Sequence, residues 1–282
     1  MKMSLTRIVF CTFMLASLPV FAAQPTVEQT PYIMGVFPFV PTATIEGIFA
    51  PLAAELSQAL GRPVKLRSAP SFDKYTDELK SRIFDIAFIQ PFDYASLAKS
   101  AGLLPLAARN DILNSHIVVK NDSLIHELKD LKGKSMGMPP KVAAVSFLNR
   151  LALKKAGLAP DTDIKFVYLA SHQACLQQLM IGYVAACGVS PAAIRLAETQ
   201  LKTTFRLIHE SPEIPTPLFV AKKELPQKDR DTMLRVLTTT DLTGVKPELR
   251  TMFVETKEKP FRKATDSEYD VVRAMMKTYG IK

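Results

Sequence analysis

Gln90 is the side chain best placed to do chemistry in this sequence. It closes a short apolar run, Ile83 to Ile89, broken by one Asp, and it is followed at once by Pro91. A strand that stops and turns straight into a helix gathers backbone N–H groups and a polar side chain at one point, which is how open α/β sheets hold ligands. That is binding chemistry. Catalysis finds little support: Ser, His and Asp occur, but no Gly-x-Ser-x-Gly elbow, His-Glu-x-x-His or Gly-rich phosphate loop is present, and the 11 glycines are scattered. The 4 His lack paired spacing, and Cys175 and Cys187 match neither a zinc knuckle nor a Cys-x-x-Cys motif. The sequence is therefore read as a non-enzyme without metal or other cofactor.

The elements that must position Gln90 follow from periodicity and from Pro and Gly punctuation. Phe72, Tyr75, Leu79 and Ile83 fall at helical spacing and lead into the apolar run as a strand; Pro91 suits the first turn of the helix that follows, Phe92 to Ala101. Upstream, Tyr32 to Phe37 reads as a strand stopped by Pro38 and Pro41. A helix then runs to Leu60 and Gly61, and Val64 to Ser68 makes a second strand. This β-α-β-α-β-α rhythm is the signature of a parallel sheet. From Leu104 to Val119 strands follow without a helix, and Asn114 to Lys120 reads as a crossover. A second series then alternates: strand Ser135–Met138, helix Val142–Ala156, strand Ile164–Leu169, helix His172–Ile181, strand Ala185–Val189, helix Ala192–Leu201. Phe205 to His209 and Ile214 to Ala221 read as returning strands, with helices around Met233 and over Tyr269 to Tyr279. No internal repeat is evident.

The first 22 residues read as a secretory signal peptide: Lys2 and Arg7, an apolar segment from Ile8 to Phe21, and a small residue, Ala22, at the cleavage point. Cys11 lies inside the apolar segment, so a lipid anchor is not expected. The formal charge of +9 over the 282 residues becomes +7 once Lys2 and Arg7 are removed, a surplus that favours a small anionic ligand or an anionic surface, or simply solubility. Interleaved aromatic and basic residues of the kind that bind nucleic acid are absent.

The pattern Tyr75-x3-Leu79, Asp85-Ile86-Ala87, Gln90-Pro91-x2-Tyr94-Ala95 resembles the first-lobe signature of the phosphate/phosphite/phosphonate solute-binding proteins. The series Leu128 to Lys134, with its Asp-Leu-Lys-Gly-Lys, followed by a strand, is similar to the start of their second lobe. The resemblance implies a two-lobed α/β fold of the type II periplasmic binding proteins, each lobe a mainly parallel sheet flanked by helices, with a ligand cleft between. The lobes are then 23–114 with 210–282, and 115–209. It further implies a periplasmic monomer that delivers a small oxyanion to an inner-membrane ATP-driven permease. The alternative is a protein of the same fold that signals to a membrane sensor, a kinase or cyclase.

On this resemblance the anion sits at a second-lobe helix N-terminus, here Pro139 to Ser146, where Val142 and Ala143 offer backbone N–H groups and Lys141 a charge. The Ser/Thr-rich run common there is replaced, leaving only Ser146; Lys141 reads equally well as a solvated surface lysine. Tyr75 and Tyr94 are carried over as ligand contacts, with core aromatics as the equal alternative. His172, after Ser171, resembles the family's His at a helix start and is expected to stay neutral; it reads equally as a capping-turn residue. Ala185 stands where an acidic partner for a ligand amine is expected, which argues against an aminoalkylphosphonate.

Cys175 and Cys187 remain after export, in a compartment that oxidises thiols. The helix from His172 and the strand through Cys187 run back along each other and bring the two level, so a disulfide is expected, with two buried thiols as the alternative.

Overall fold

The computed structural model describes residues 29–250 and 259–280, so the segment read as a signal peptide lies outside the described residues. Among the described residues eleven strands form two sheets. The first half of the chain gives β1 (Tyr32–Val36), α1 (Thr42–Leu60), β2 (Val64–Ser68), α2 (Phe72–Lys80), β3 (Ile86–Ile89), α3 (Pro91–Ala101) and β4 (Leu103–Arg109). Next come β5 (His116–Lys120), β6 (Ser135–Met138), α4 (Ala144–Lys155), α5 (Pro160–Asp163), β7 (Lys165–Tyr168), α6 (His172–Met180), β8 (Ala186–Val189), α7 (Pro191–Leu201) and β9 (Phe205–Glu210). The chain then returns through β10 (Leu218–Lys222), α8 (Gln227–Thr239), α9 (Pro247–Arg250), β11 (Phe261–Lys263) and α10 (Asp270–Tyr279).

The six-stranded sheet has the order β11-β4-β10-β3-β1-β2 and the five-stranded sheet β7-β6-β8-β5-β9. The parallel character read from the sequence covers β2-β1-β3 and β7-β6-β8. Both sheets are mixed, because β10, β11 and β5 pair antiparallel with their neighbours. β9, read as a strand returning to the first lobe, instead pairs with β5 in the second sheet. Left-handed backbone at Gly61 (φ 62) and Gly102 (φ 64) ends α1 and α3, where a side chain would be strained.

The Asp that breaks the apolar run has a structural task. Asp85 accepts the Ile33 N–H at 2.8 Å and the Lys222 ammonium at 2.9 Å, tying β1 and β10 to the start of β3. The core of this lobe spans both faces of its sheet, from Met34 and Phe49 to Phe219 and Tyr269. The second lobe packs one cluster around Ile117, Met136 and Leu153, and another around Cys175, Leu179 and Cys187. Within the latter the two sulfurs lie 2.12 Å apart with Cα atoms 6.0 Å apart. A repeat not evident in the sequence is plain in the structure: α2, β3 and α3 start at 72, 86 and 91, and α6, β8 and α7 at 172, 186 and 191, an offset of 100 throughout.

Two chain crossings join the lobes. Leu113 and Ile214 bridge antiparallel; the Ser211 N–H donates to the Ser115 carbonyl at 2.8 Å, and the Ser115 N–H to Ser211 Oγ at 2.9 Å. The Ser115 hydroxyl donates onward to Asn149 Oδ1 at 2.6 Å, anchoring the hinge to α4.

Candidate binding site

The cleft is defined by two helix N-termini that face each other, α3 of the first lobe and α4 of the second. Gln90 precedes Pro91 with extended backbone (φ −76, ψ 156) and makes no side-chain cap to its own helix. Its side chain crosses the cleft, only 4% exposed. Nε2 donates to the Val142 carbonyl at 3.2 Å and, at 3.4 Å, to Asp93 Oδ2; the Ala144 N–H donates to Gln90 Oε1 at 3.0 Å. Ala143, the residue that would cap α4, has no side-chain oxygen, so the first turn of that helix takes an acceptor from the other lobe. In the second lobe the equivalent residue, Ser190, accepts the Ala193 N–H at 3.4 Å and caps its own helix.

Beside this polar contact runs an apolar seam. Phe92 of α3 stacks on Phe147 of α4 with centroids 4.8 Å apart. Ala144 and Leu148 from the second lobe, Ile214 at the hinge, and Val272 and Met276 of α10 complete it. Burial pushes the Asp93 carboxyl up to about 6, against the opposing pull of the Gln90 amide. Phe37, Phe39, Phe72 and Phe88 cluster at the same end of the first sheet, Phe37 lying 4.9 Å from Phe39 and 5.5 Å from Phe88.

The other residues singled out in the sequence divide. Val142 and Ala143 lie at the α4 N-terminus facing Gln90, and Lys141 is exposed beside them. Tyr75 and Tyr94 belong to the core of the first lobe. Tyr75 is 1% exposed, stacks on Phe84 and donates its hydroxyl to the Phe88 carbonyl at 3.0 Å; Tyr94 is fully buried and donates to Asp266 Oδ1 at 2.7 Å. Helical spacing placed both on the inward face, and that face meets the sheet and α10, not the cleft. Ser146 is likewise buried, its hydroxyl turned back to the Pro139 carbonyl at 3.0 Å.

His172 is part-buried at the start of α6, behind the Ser171 cap. Its Nδ1 accepts the Ser190 N–H at 3.1 Å, which assigns the ring proton to Nε2, and burial pushes its pKa down to about 4. It therefore joins two cleft-edge loops as a neutral ring. Ala185 requires a correction. It precedes β8, pairing its N–H with the Ser135 carbonyl at 2.9 Å, while the cleft edge is at Ser190. Four or five residues of strand put it about 15 Å away, so its lack of charge says nothing about a ligand amine.

Sequence reasoning missed Asp93 and the Phe92–Phe147 stack. An acidic residue in the first turn of a helix that also carries Gln90 was the available signal for Asp93. Nothing in sequence spacing could reveal that Phe92 and Phe147, from different lobes, meet.

Residues 34–269 match the model of a family described as the phosphonate ABC transporter periplasmic substrate-binding protein. The chain belongs to that family. Its fold is also that of solved binding proteins. PhnD1 of Prochlorococcus marinus in complex with methylphosphonate superposes with a TM-score of 0.73 at 16% identity, covering 89% of this chain and 98% of that one. A binding-protein component of the ABC phosphonate transporter of Pseudomonas aeruginosa gives 0.71 at 17% identity, covering 88% and 86%. The periplasmic aliphatic sulphonate-binding protein of Escherichia coli gives 0.57 at 14%, covering 89% and 86%. The two-lobed type II architecture is thus shared with binders of two oxyanion classes. Among the described residues no group of three or more His, Cys, Asp or Glu is placed to hold a metal, and no helix is long and apolar enough to cross a membrane.

Proposed function

We propose that this member of the phosphonate-binding family is an exported periplasmic monomer that captures a small phosphonate-like oxyanion in the cleft and delivers it to an inner-membrane ABC importer, without catalysis. The lobes are taken to divide as 23–114 with 210–282, and 115–209. Cys175 and Cys187 are taken to form a disulfide in the oxidising compartment.

One observation carries the reading. The α4 N-terminus, where the helix dipole and open N–H groups favour negative charge, is met across the cleft by a neutral amide oxygen, Gln90 Oε1. A ligand oxyanion is the stronger acceptor for the same Ala144 N–H. It would displace Oε1 and leave Nε2, which now donates to the Val142 carbonyl, free to donate to the ligand. Lys141 adds a charge at the rim, and the aromatic cluster around Phe37 and Phe39 supplies an apolar wall suited to a small alkyl substituent.

Titration calorimetry of the mature protein with methylphosphonate, phosphite, phosphate and sulfate tests this. The expected result is saturable one-site binding of methylphosphonate, weakened about fivefold or more in Gln90→Ala, from the loss of one hydrogen bond worth about 1 kcal/mol. Unchanged affinity in a folded Gln90→Ala protein removes Gln90 from the site. No binding of any of the four removes the oxyanion reading.

A further inference from the structure

Away from the two facing helix N-termini, α4, the hinge and α10 line a partly open cavity of about 430 Å³. Small-molecule sites run from roughly 300 to 1,000 Å³, so it is large enough for a compact organic ligand. Its apolar surface is a helical stripe of α4, Leu148, Leu151 and Ala152, with Met275 of α10 opposite and Tyr279 at one end. Its polar groups come from the last turn of α4 and from the segment His209 to Ser211.

Three features distinguish this cavity from a packing defect. Lys155 lines it, with Nζ 5.9 Å from the centroid of the Tyr279 ring. His209 lines it too, and its Nε2 is buried with no hydrogen-bond partner among the described residues. Burial first, and the charge of Lys155 second, hold the His209 ring below its ordinary pKa, so that it is neutral near pH 7 and able to donate one N–H. One oxygen of the carboxylate at the rim is engaged: Glu210 Oε1 accepts from Asn114 Nδ2 at 2.9 Å and lies 3.3 Å from His116 Nε2. What the cavity offers a ligand is an apolar slot with the Lys155 cation and the neutral His209 ring in its wall.

We propose that this hinge cavity is a second binding site, for a small amphipathic anion such as a short-chain carboxylate, whose head meets Lys155 beside the His209 ring and whose chain lies along Leu148, Leu151 and Met275. The site is separate from the phosphonate cleft. Its walls come from both lobes, α4 and β9 on one side and α10 on the other, so a ligand there touches both at once.

Hexanoate, titrated calorimetrically into the mature protein, is the probe, with hexylamine as the control of equal chain and opposite charge. The expected result is saturable binding of hexanoate and none of hexylamine. Ala152→Phe, which fills the cavity, abolishes it, and Lys155→Met, at an exposed helical position, weakens it at least tenfold. Should Ala152→Phe fail to fold, Lys155→Met still decides. Absence of saturable hexanoate binding, equal binding of hexylamine, or unchanged hexanoate affinity in folded Lys155→Met overturns the proposal. Methylphosphonate affinity in the same variants reports the cleft independently, so the two readings succeed or fail separately.

Discussion

Replacing Gln90 by alanine probes the contact that joins the lobes. The side chain satisfies two backbone groups of the opposite lobe, the Val142 carbonyl at 3.2 Å and the Ala144 N–H at 3.0 Å. If the lobes stay together in the variant, both groups remain in the cleft without their partner, and each orphaned group costs about 1–3 kcal/mol. They are expected to stay together, because the seam outweighs the amide. Phe92 and Leu148, 4% and 2% exposed, are nearly removed from solvent. A buried aromatic or leucine side chain contributes about 1.5–3 kcal/mol by burial, and the Phe92–Phe147 stack about 0.5–1.5 more. The expected loss on Gln90→Ala is therefore about 2–6 kcal/mol, falling to about 1–3 kcal/mol if water reaches one of the two groups. Urea unfolding of the ligand-free protein measures the total. Amide hydrogen exchange localises it, and the Ala144 amide should exchange at least about 30-fold faster, the factor that corresponds to 2 kcal/mol. Gln90→Glu is the control: its carboxylate still accepts the Ala144 N–H at a favourable helix end, while the donor to Val142 is lost and a charge is added beside Asp93. A change below 0.5 kcal/mol in Gln90→Ala, by the general scale of surface substitutions, with Ala144 exchange unaltered, would refute the assignment of this contact.

Two titrations should pull stability in opposite directions. The Asp93 carboxyl, pushed up to about 6 by burial, binds more protons folded than unfolded, so its contribution is fully present below about pH 4 and lost as pH rises through 6. Asp93→Asn should therefore gain stability relative to the parent at pH 8 and little at pH 4, read from melting temperatures across that range. His172, pushed down to about 4, behaves oppositely: stability is present above its ordinary pKa of about 6.5 and is lost as pH falls towards 4, so His172→Gln should flatten the acid limb of the same profile. Cys175 and Cys187, 12 residues apart, should give no free thiol on the unfolded, unreduced mature protein. The double alanine variant should lose about 3 kcal/mol in the chain-entropy model, measured by urea unfolding. Two free thiols would sink that expectation.

The order of elements was legible because Pro and Gly mark nearly every boundary: Pro91 and Pro191 open α3 and α7, and Gly61 and Gly102 close α1 and α3. The shortest elements, α5 and β11, were not read although Pro160 opens the one and Pro260 precedes the other, because three or four residues are too few to show a period. Direction within the sheets was harder. The returning strand around Leu218 looks like any apolar run, and only its partners show that it enters antiparallel between β3 and β4. The site split along the same line. Gln90 was found because its place at a strand end is local information. Tyr75 and Tyr94 stood evenly between ligand contact and core, because a helical face says that a residue is turned inward, not what lies across from it. The 100-residue repeat escaped notice because the two units share a backbone plan while their side chains diverge: Asp85, an ion-paired brace, corresponds to Ala185, and Phe72 to His172.

The central position of β10 has a consequence for how the molecule comes into being. Every strand of the second sheet lies between His116 and Glu210, so that lobe is complete as soon as this stretch of chain is available. The first sheet is not. Between β4 and β3 it holds a gap that only Leu218–Lys222 can fill, and Asp85 waits for Lys222 as its partner. A chain emerging from its N-terminus therefore carries β1 to β4 as two separated groups, with unpaired edges on β3 and β4, while about a hundred further residues are added, which is the kind of exposed, long-range pairing that folds slowly. The lobe whose first strand comes first in sequence is the last to close.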